Sequence, residues 1–129
     1  MKSNGKSTET IITKVLYQFG FSPIHNGFFY LRDAVRIACF EPDAITLVTK
    51  LIYLPLSKEY ATTVENIEKS IRKSADAVWK NNAGSTIAVL NTIYTFSDNR
   101  IENKELISLI CNIIKHAVNI FDTDVSEGI

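Results

Sequence analysis

The sequence predicts an all-α protein, a compact bundle of about six helices that contains a helix-turn-helix. Apolar residues recur at intervals of three and four throughout the long segments, and no segment alternates with the period of two that a strand requires. Only three prolines and five glycines interrupt the 129 residues. A chain of this length closes one hydrophobic core, so we expect a single domain over residues 1–129 with an ordered core at 7–121.

Caps, glycines and prolines mark the limits of the first elements. Ser7 or Thr8 is suited to cap a first helix that Gly20 ends, and the polar residues 1–6 are expected to be loose. Pro23 lies in the connector that follows and favours an extended conformation for the residue before it. The predicted helices, in chain order, cover residues 7–19, 28–40, 42–52, 54–60, 62–79, 86–96 and 103–121.

Prolines and polar caps bound the later elements. Pro42 or Asp43 is suited to begin the third helix, since proline is tolerated where no backbone N–H is needed. For the same reason Pro55 is expected in the first turn of a short helix that ends before a turn at Ala61. Asn103 is suited to cap the last helix.

The segment from Thr62 to Trp79 shows the most regular helical pattern. Thr62 and Glu65 have the spacing of a capping box, although Thr63 is an equally good cap. The buried stripe is predicted to consist of Val64, Ile67, Ile71, Ala75 and Val78. A short helix, a tight turn and a longer helix with a polar face form the layout of helix-turn-helix DNA binders. By itself this layout is a weak indication, because many helical domains contain it.

The charge of the chain is balanced overall but not along its length. Residues 1–82 hold 11 Lys and Arg against 8 Asp and Glu, whereas residues 83–129 hold 3 against 6. A formal net charge of zero predicts no strong bulk attraction to nucleic acid. If the chain has a polyanionic partner, this modest asymmetry favours contact with its first part.

Other classes of protein find little support. No apolar run has the roughly 18 residues of a membrane span, and the N-terminus lacks the apolar core of a signal peptide, so we expect a cytoplasmic protein without membrane contact. Cys39 and Cys111 are expected to be buried free thiols, with no spacing suited to zinc. We find no nucleophile–base pair and no glycine-rich phosphate loop, so neither an enzyme nor a cofactor is expected.

Two runs of the sequence resemble one known family. GFSPIHNGFFYLRDAV and LVTKLIYLPLSKEYATTVENIEKSIRKSADAVW are similar, without gaps, to the C-terminal effector domain of the stage 0 sporulation protein A family, which comprises response-regulator transcription factors. The similarity is good over residues 10–82 and weak over the last 45. It implies a helical DNA-binding domain whose recognition helix spans residues 63–80. The family's N-terminal phosphoacceptor domain is not seen here, so we expect either an excised fragment or a standalone variant.

The resemblance implies a set of DNA-contacting residues, several of which depart from the family. Val64 and Glu65 replace the usual proline and serine, and Asn66 replaces an arginine able to contact a base. Lys69 and Lys73 replace an arginine and a histidine, and Asn26 replaces a connector lysine; Glu68 and Arg72 are retained. The residues expected at DNA are Thr62, Thr63, Glu65, Asn66, Glu68, Lys69, Arg72 and Lys73.

Each departure has a physical consequence. If Asn66 contacts a base, the preferred base at that position should change from guanine to adenine. An asparagine amide can form two hydrogen bonds with adenine, as an arginine guanidinium does with guanine. The alternative is that Asn66 caps the helix or faces water. Glu68 either accepts from the amino group of cytosine or pairs with Arg72 one turn later. Lys69, Arg72 and Lys73 would neutralise phosphates or reach guanines.

The start of the recognition helix is less favourable to DNA. Glu65 lies in the first turn, where it stabilises the helix but repels an approaching phosphate. Residues 63–80 carry four basic and three acidic side chains, so binding by one copy is predicted to be weak and strongly salt-dependent.

We therefore predict a sequence-specific transcription regulator of double-stranded DNA. Its further partners would be a second copy, through the apolar last helix, and RNA polymerase. The last helix serves equally well to complete the core. The rival hypothesis is a protein-interaction module of the same fold that has lost DNA binding and modulates a related full-length regulator.

Overall fold

The computed structural model of the chain describes residues 2–81 and 101–127, with side chains over 8–80 and 101–116. Every regular element in these two stretches is helical, so the all-α prediction is confirmed. The helix predicted over residues 86–96 lies outside the described residues. The elements, in chain order, are α1 (Lys2–Gln18), α2 (Asn26–Phe40), a 3₁₀ segment (Pro42–Leu47), a π segment (Thr49–Tyr53), α3 (Leu54–Glu59), α4 (Val64–Asn81) and α5 (Asn103–Glu127).

The two ends of α1 differ in how well they were predicted. Gly20 follows the helix with a φ of 96°, in the left-handed region that glycine tolerates, as its role as a stop requires. The helix begins at Lys2, however, and the prediction of a start at Ser7 or Thr8 was wrong. Because extending a formed helix gains one backbone hydrogen bond for each residue ordered, polar residues can join it without a cap.

The chain is continuously helical from Pro42 to the end of α3, whereas the sequence predicted two separate helices. Pro42 and Pro55 both lie in first turns, as predicted. Pro55 has no N–H to donate and its ring would crowd the Leu51 carbonyl. The chain before it widens into a π turn, in which the Leu54 N–H donates to the Thr49 carbonyl five residues earlier.

The helix α2 lies at the centre of the bundle and packs against α1, α4 and α5. It begins at Asn26, two residues before the predicted start, so that Gly27 is helical and buried where α2 meets α4. The core around it includes the fully buried side chains Ile12, Leu16, Leu31, Val35, Ile52, Leu56, Ile67, Ile71, Ile107 and Ile110.

The last helix α5 completes this core over its described side chains. Its apolar face is buried through Leu106, Ile107, Leu109, Ile110 and Ile114. The apolar residues of this stretch are therefore engaged within the subunit, which agrees with the alternative that this helix finishes the core. The backbone stays helical to Glu127, beyond the predicted end near Phe121.

Candidate nucleic-acid interface

The turn between α3 and α4 has the two backbone hydrogen bonds of a Schellman turn. The Thr62 N–H donates to the Ser57 carbonyl at 2.8 Å, and the Ala61 N–H donates to the Lys58 carbonyl at 3.3 Å. Ala61 has a φ of 52°, a left-handed conformation that costs a side chain about 1–2 kcal/mol. The predicted turn at Ala61 is confirmed, and it separates α3 from α4.

The N-terminus of α4 is capped by Thr63 and not by Thr62. The Thr63 hydroxyl oxygen accepts a hydrogen bond from the Asn66 N–H at 3.0 Å. The predicted capping box of Thr62 and Glu65 was therefore wrong, whereas the alternative cap was right. Thr62 lies one residue further from the start of the helix, and its hydroxyl oxygen accepts from the Asn66 side chain. Glu65 lies in the first turn, as predicted, where its negative charge interacts favourably with the positive end of the helix dipole.

The side chain of Asn66 belongs to a short polar ladder along the helix. Its Nδ2 donates to the Thr62 Oγ1 at 2.9 Å, and its Oδ1 accepts from the Ser70 Oγ at 3.5 Å. Both ends of the amide thus have local partners although the residue is exposed. A contact between Asn66 and a base would have to replace at least one of these bonds.

The two faces of α4 are those that the spacing predicts. Ile67, Ile71, Ala75 and Val78 are buried, and Val64 is half-buried. The structure leaves Thr63, Glu65, Asn66, Glu68, Lys69, Arg72 and Lys73 exposed, with Thr62 half-buried beside them. All eight predicted residues therefore lie together along the first three turns of the helix or in the turn before it.

An ion pair connects two of the exposed residues. Arg72 Nη2 lies 3.8 Å from Glu68 Oε2, with about half of each side chain exposed. A pair of this kind contributes little to stability, because solvent screens it and both side chains lose freedom. Arg72 can therefore leave Glu68 for a base or a phosphate at low cost, and Glu68 can leave Arg72 for the amino group of a base.

A buried carboxylate on α2 anchors the turn, and sequence reasoning missed it. Asp33 is 3% exposed and accepts a hydrogen bond from the Tyr60 hydroxyl and another, at 3.0 Å, from Arg32 Nε. Burial and the hydrogen bond to Asp33 raise the pKa of Tyr60 to about 12. The ring of Tyr60 also packs edge-on against Tyr30, with 5.0 Å between centroids. These contacts tie the end of α3 to α2.

The start of α5 is fastened to the middle of α4. Asn103 Nδ2 donates to the main-chain oxygen of Glu68 at 2.9 Å. The predicted cap at Asn103 was wrong by one residue: the Glu102 carbonyl accepts from the Leu106 N–H, and the Glu105 carboxylate accepts from the Glu102 N–H. The Asn103 side chain is bonded to α4, and the hydrogen bonds at the start of α5 are made by Glu102 and Glu105.

A cleft of about 400 Å³ lies beside this junction. It is lined in part by Glu68, Arg72 and Lys104, and it borders the exposed face of α4. Lys104 was not among the predicted DNA-contacting residues, since 32 residues of sequence separate it from Arg72.

The connector between α1 and α2 lies beside the second half of α4. It encloses a cavity of about 100 Å³ with that helix, lined by Ser22, His25, Ser74, Ala77 and others. His25 and Asn26 are exposed, and Ile24 is 85% exposed at the tip. The connector therefore lies next to the C-terminal half of α4.

Two further observations concern other kinds of site. Within the residues described, no group of three or more His, Cys, Asp or Glu is arranged to hold a metal ion. None of the helices in these parts of the chain is long and apolar enough to cross a membrane.

A short helix, a tight turn and a second helix with an exposed cationic face, held on a helical body, define the class of helix-turn-helix DNA-binding domains. Comparison with protein-family models gives a match over residues 12–114 to the family described as sporulation initiation factor Spo0A C terminal. The chain belongs to this family of DNA-binding effector domains, which is not a family of enzymes. The match extends over the first 12 of the 25 residues of α5, where the resemblance in sequence was weak.

Proposed function

We propose that this domain binds specific sequences of double-stranded DNA and regulates transcription. The observation that carries the proposal is the exposed face of α4, which presents Lys69, Arg72 and Lys73 in the second and third turns of the helix. Family membership supports DNA binding as the general function. The choice of sequence would come from the side chains of this face.

In the proposed complex the first turns of α4 enter the major groove, whose base edges carry a distinct pattern for each base pair. The helix α3, on one side, and the connector over residues 21–25 with Asn26 at the start of α2, on the other, lie against the phosphate backbone. Thr62 and Thr63 meet the backbone at the start of the helix, where hydroxyl groups commonly contact phosphates. Lys104, across the cleft from Arg72, adds a cation at the edge of the same surface.

Arg72 and Glu68 are the proposed base-contacting pair. Arg72 would donate two parallel hydrogen bonds to a guanine, and Glu68 would accept from the amino group of a cytosine. Their mutual ion pair is exposed and weak, so exchanging it for base contacts costs little. A good bidentate contact contributes about 1–3 kcal/mol of discrimination between bases.

Asn66 would mainly hold neighbouring side chains of α4 in place, and would contribute less to base recognition. Its amide holds Thr62 and Ser70 in one ladder along the helix. Lys69 and Lys73, which have no fork of donors, would act as point charges on phosphates or on guanine oxygens.

The test is a fluorescence-anisotropy titration of duplex DNA at two salt concentrations. We expect binding in the micromolar range or tighter at low salt, with an affinity that falls as salt rises because bound cations release counterions. Arg72→Ala should weaken binding by about tenfold or more. Lys14→Ala is the matched control, since it removes a positive charge from the exposed side of α1 and should leave affinity nearly unchanged.

A second candidate function is that of a protein-interaction module, and Glu65 favours it. Its carboxylate sits in the first turn of α4, where a phosphate would approach, and the neutral charge of the chain adds no attraction. Such a module would bind a related full-length regulator. Absence of DNA binding at every salt concentration, together with a stable complex between this chain and that regulator, would favour this second function over the first.

A further inference from the structure

The cavity between the connector and α4 contains a buried hydroxyl group that has no partner. Its volume is about 100 Å³, and it is partly open to solvent. Ser74 lines the cavity and is 4% exposed, and its hydroxyl makes no hydrogen bond within the described residues. Folded proteins rarely leave a buried polar group unsatisfied, because it has lost its hydrogen bonds to water. The Ser74 hydroxyl is therefore available to a polar ligand that enters the cavity.

The N-terminus of α2 lies at the same cavity. The N-cap residue of this 15-residue helix is His25, which lines the cavity and makes no side-chain hydrogen bond to the helix. The first N–H groups of a helix have no acceptor within it, and they form the positive end of the helix dipole. The first turn of α2 holds no acidic side chain. The partial positive charge is therefore not offset by a carboxylate of that turn.

Gly27 brings the hydroxyl and the helix N-terminus together. It is the second residue of α2, and a Cβ atom at this position would collide with the Ser74 hydroxyl oxygen. The hydroxyl therefore lies against the first turn of α2, where the N–H groups without a helical acceptor are found.

The rest of the cavity lining also favours an anion. The Ser22 hydroxyl oxygen accepts from the Ile24 N–H at 3.3 Å, and its hydrogen can be donated to a ligand. The exposed ring of His25 supplies a further N–H donor. None of the described residues that line the cavity is acidic. Hydrogen-bond donors beside a helix N-terminus are suited to the oxygens of a phosphate group.

We propose that this cavity is a binding site for one phosphate group. The first N–H groups of α2 and the Ser74 hydroxyl donate to its inner oxygens, and Ser22 and His25 donate to its outer oxygens. The cavity has the volume of about three water molecules, which suits one small tetrahedral anion and not a whole nucleotide. A free phosphate ion and a phosphate of the DNA backbone present the same oxygens. The second source rests on the proposed function, whereas the first does not.

The first test is a titration of the folded, ¹⁵N-labelled chain with inorganic phosphate, without DNA, at constant pH and ionic strength. We expect saturable shifts in the amide signals of residues 22–28 and of Ser74. Ser74→Ala should raise the dissociation constant about tenfold, because one hydrogen bond to a charged group is lost. Circular dichroism should show an unchanged fold, since this hydroxyl has no described partner to lose. Ser108→Ala, at a half-buried position of α5, is the matched control and should bind phosphate as the wild type does.

Ala77→Leu is an independent variant that leaves every donor in place. Ala77 is half-buried in the cavity lining, so a larger side chain there should fill the space and prevent phosphate binding. Loss of saturable binding in this variant, together with the weaker binding of Ser74→Ala, would support a site for the free ion. Saturable binding that neither variant changes would overturn the proposal, as would shifts centred on Lys69 and Lys73 instead.

The second test separates the two sources of the phosphate group. The same variants are titrated with duplex DNA of several sequences. If the free ion gives no saturable shifts but both variants weaken duplex binding about tenfold for every sequence, the site takes a phosphate of the DNA backbone. If the free ion gives no saturable shifts and neither variant changes duplex binding, the proposal is wrong. The first titration contains no DNA, so its result does not depend on whether the domain binds DNA.

Discussion

Gly27 of α2 lies directly against the main chain of α4 at Ser70. A Cβ atom added to Gly27 would come within 2.2 Å of the Ser70 carbonyl oxygen and within 2.2 Å of the Ser74 hydroxyl oxygen. The Ser70 oxygen belongs to the backbone and cannot rotate away, so any larger residue must push the two helices apart. This contact determines how closely α4 packs against the body of the domain.

Gly27→Ala should therefore destabilise the fold by about 2–3 kcal/mol, which exceeds the gain in helix propensity from alanine. Urea denaturation followed by circular dichroism measures the loss. The matched control is Asn26→Ala at the exposed neighbouring position, for which we expect a change within about 0.5 kcal/mol. Equal stability of the two variants would mean that the helices do not approach as closely as described.

Thr63→Ala should cost about 1 kcal/mol, because the Asn66 N–H at the start of α4 loses its acceptor. Thr63→Ser keeps the hydroxyl oxygen and should be close to neutral. Thr62→Ala tests the competing assignment: it removes only a side-chain contact with Asn66 and should cost less than Thr63→Ala. The free energies of unfolding of the three variants decide the cap, and a larger loss for Thr62→Ala would restore the capping box with Glu65.

Alkaline pH should loosen the anchor between Tyr60 and Asp33. Tyr60 has a pKa near 12 in the folded state and near 10 when unfolded, so the folded protein favours the protonated phenol. The stabilisation is complete below about pH 10 and is lost as pH rises towards 12. Because burial also raises the pKa of Tyr53, that residue contributes in the same direction.

Tyr60→Phe removes the hydroxyl and should flatten part of this pH dependence. At neutral pH it should cost about 1–3 kcal/mol, since one oxygen of the buried Asp33 loses its donor. Thermal melts from pH 8 to 11 measure both effects. An unchanged alkaline slope in Tyr60→Phe would contradict the proposed anchor.

Asn66→Arg should strengthen DNA binding and move base preference at one position towards guanine. The change adds a positive charge and a fork of donors in place of an amide that is held by Thr62 and Ser70. Competition titrations with duplexes that differ at single positions measure the preference. Asn26→Arg adds the same charge at the start of α2, beside the connector, and is expected to raise affinity without changing the preferred base. If both variants gain affinity equally for all sequences, Asn66 does not face a base.

The sequence alone predicted the class of fold and the exposed face of α4. Both follow from local spacing, since a period of 3.6 places Ile67 and Ile71 on one side and Lys69 and Lys73 on another. Gly20 and Pro55 were equally informative, because their backbone restrictions hold in any fold.

Contacts between distant segments could not be predicted in the same way. Asp33 lies 27 residues before Tyr60, and nothing in either local pattern indicates that their side chains meet. The same holds for the bond between Asn103 and Glu68. The choice between Thr62 and Thr63 as cap was undecided for another reason: two adjacent threonines offer the same chemistry, and the turn geometry at Ala61 selects one.

The most direct test of the DNA-binding account is a selection of bound duplexes from random DNA, followed by titration of the winning duplex and a scrambled duplex of equal length and composition. We predict an enriched motif and an affinity for it at least tenfold higher than for the scrambled duplex, with Arg72→Ala removing most of that difference. Equal affinities for the two duplexes, in a protein shown by circular dichroism to be folded, would contradict sequence recognition by the exposed face of α4.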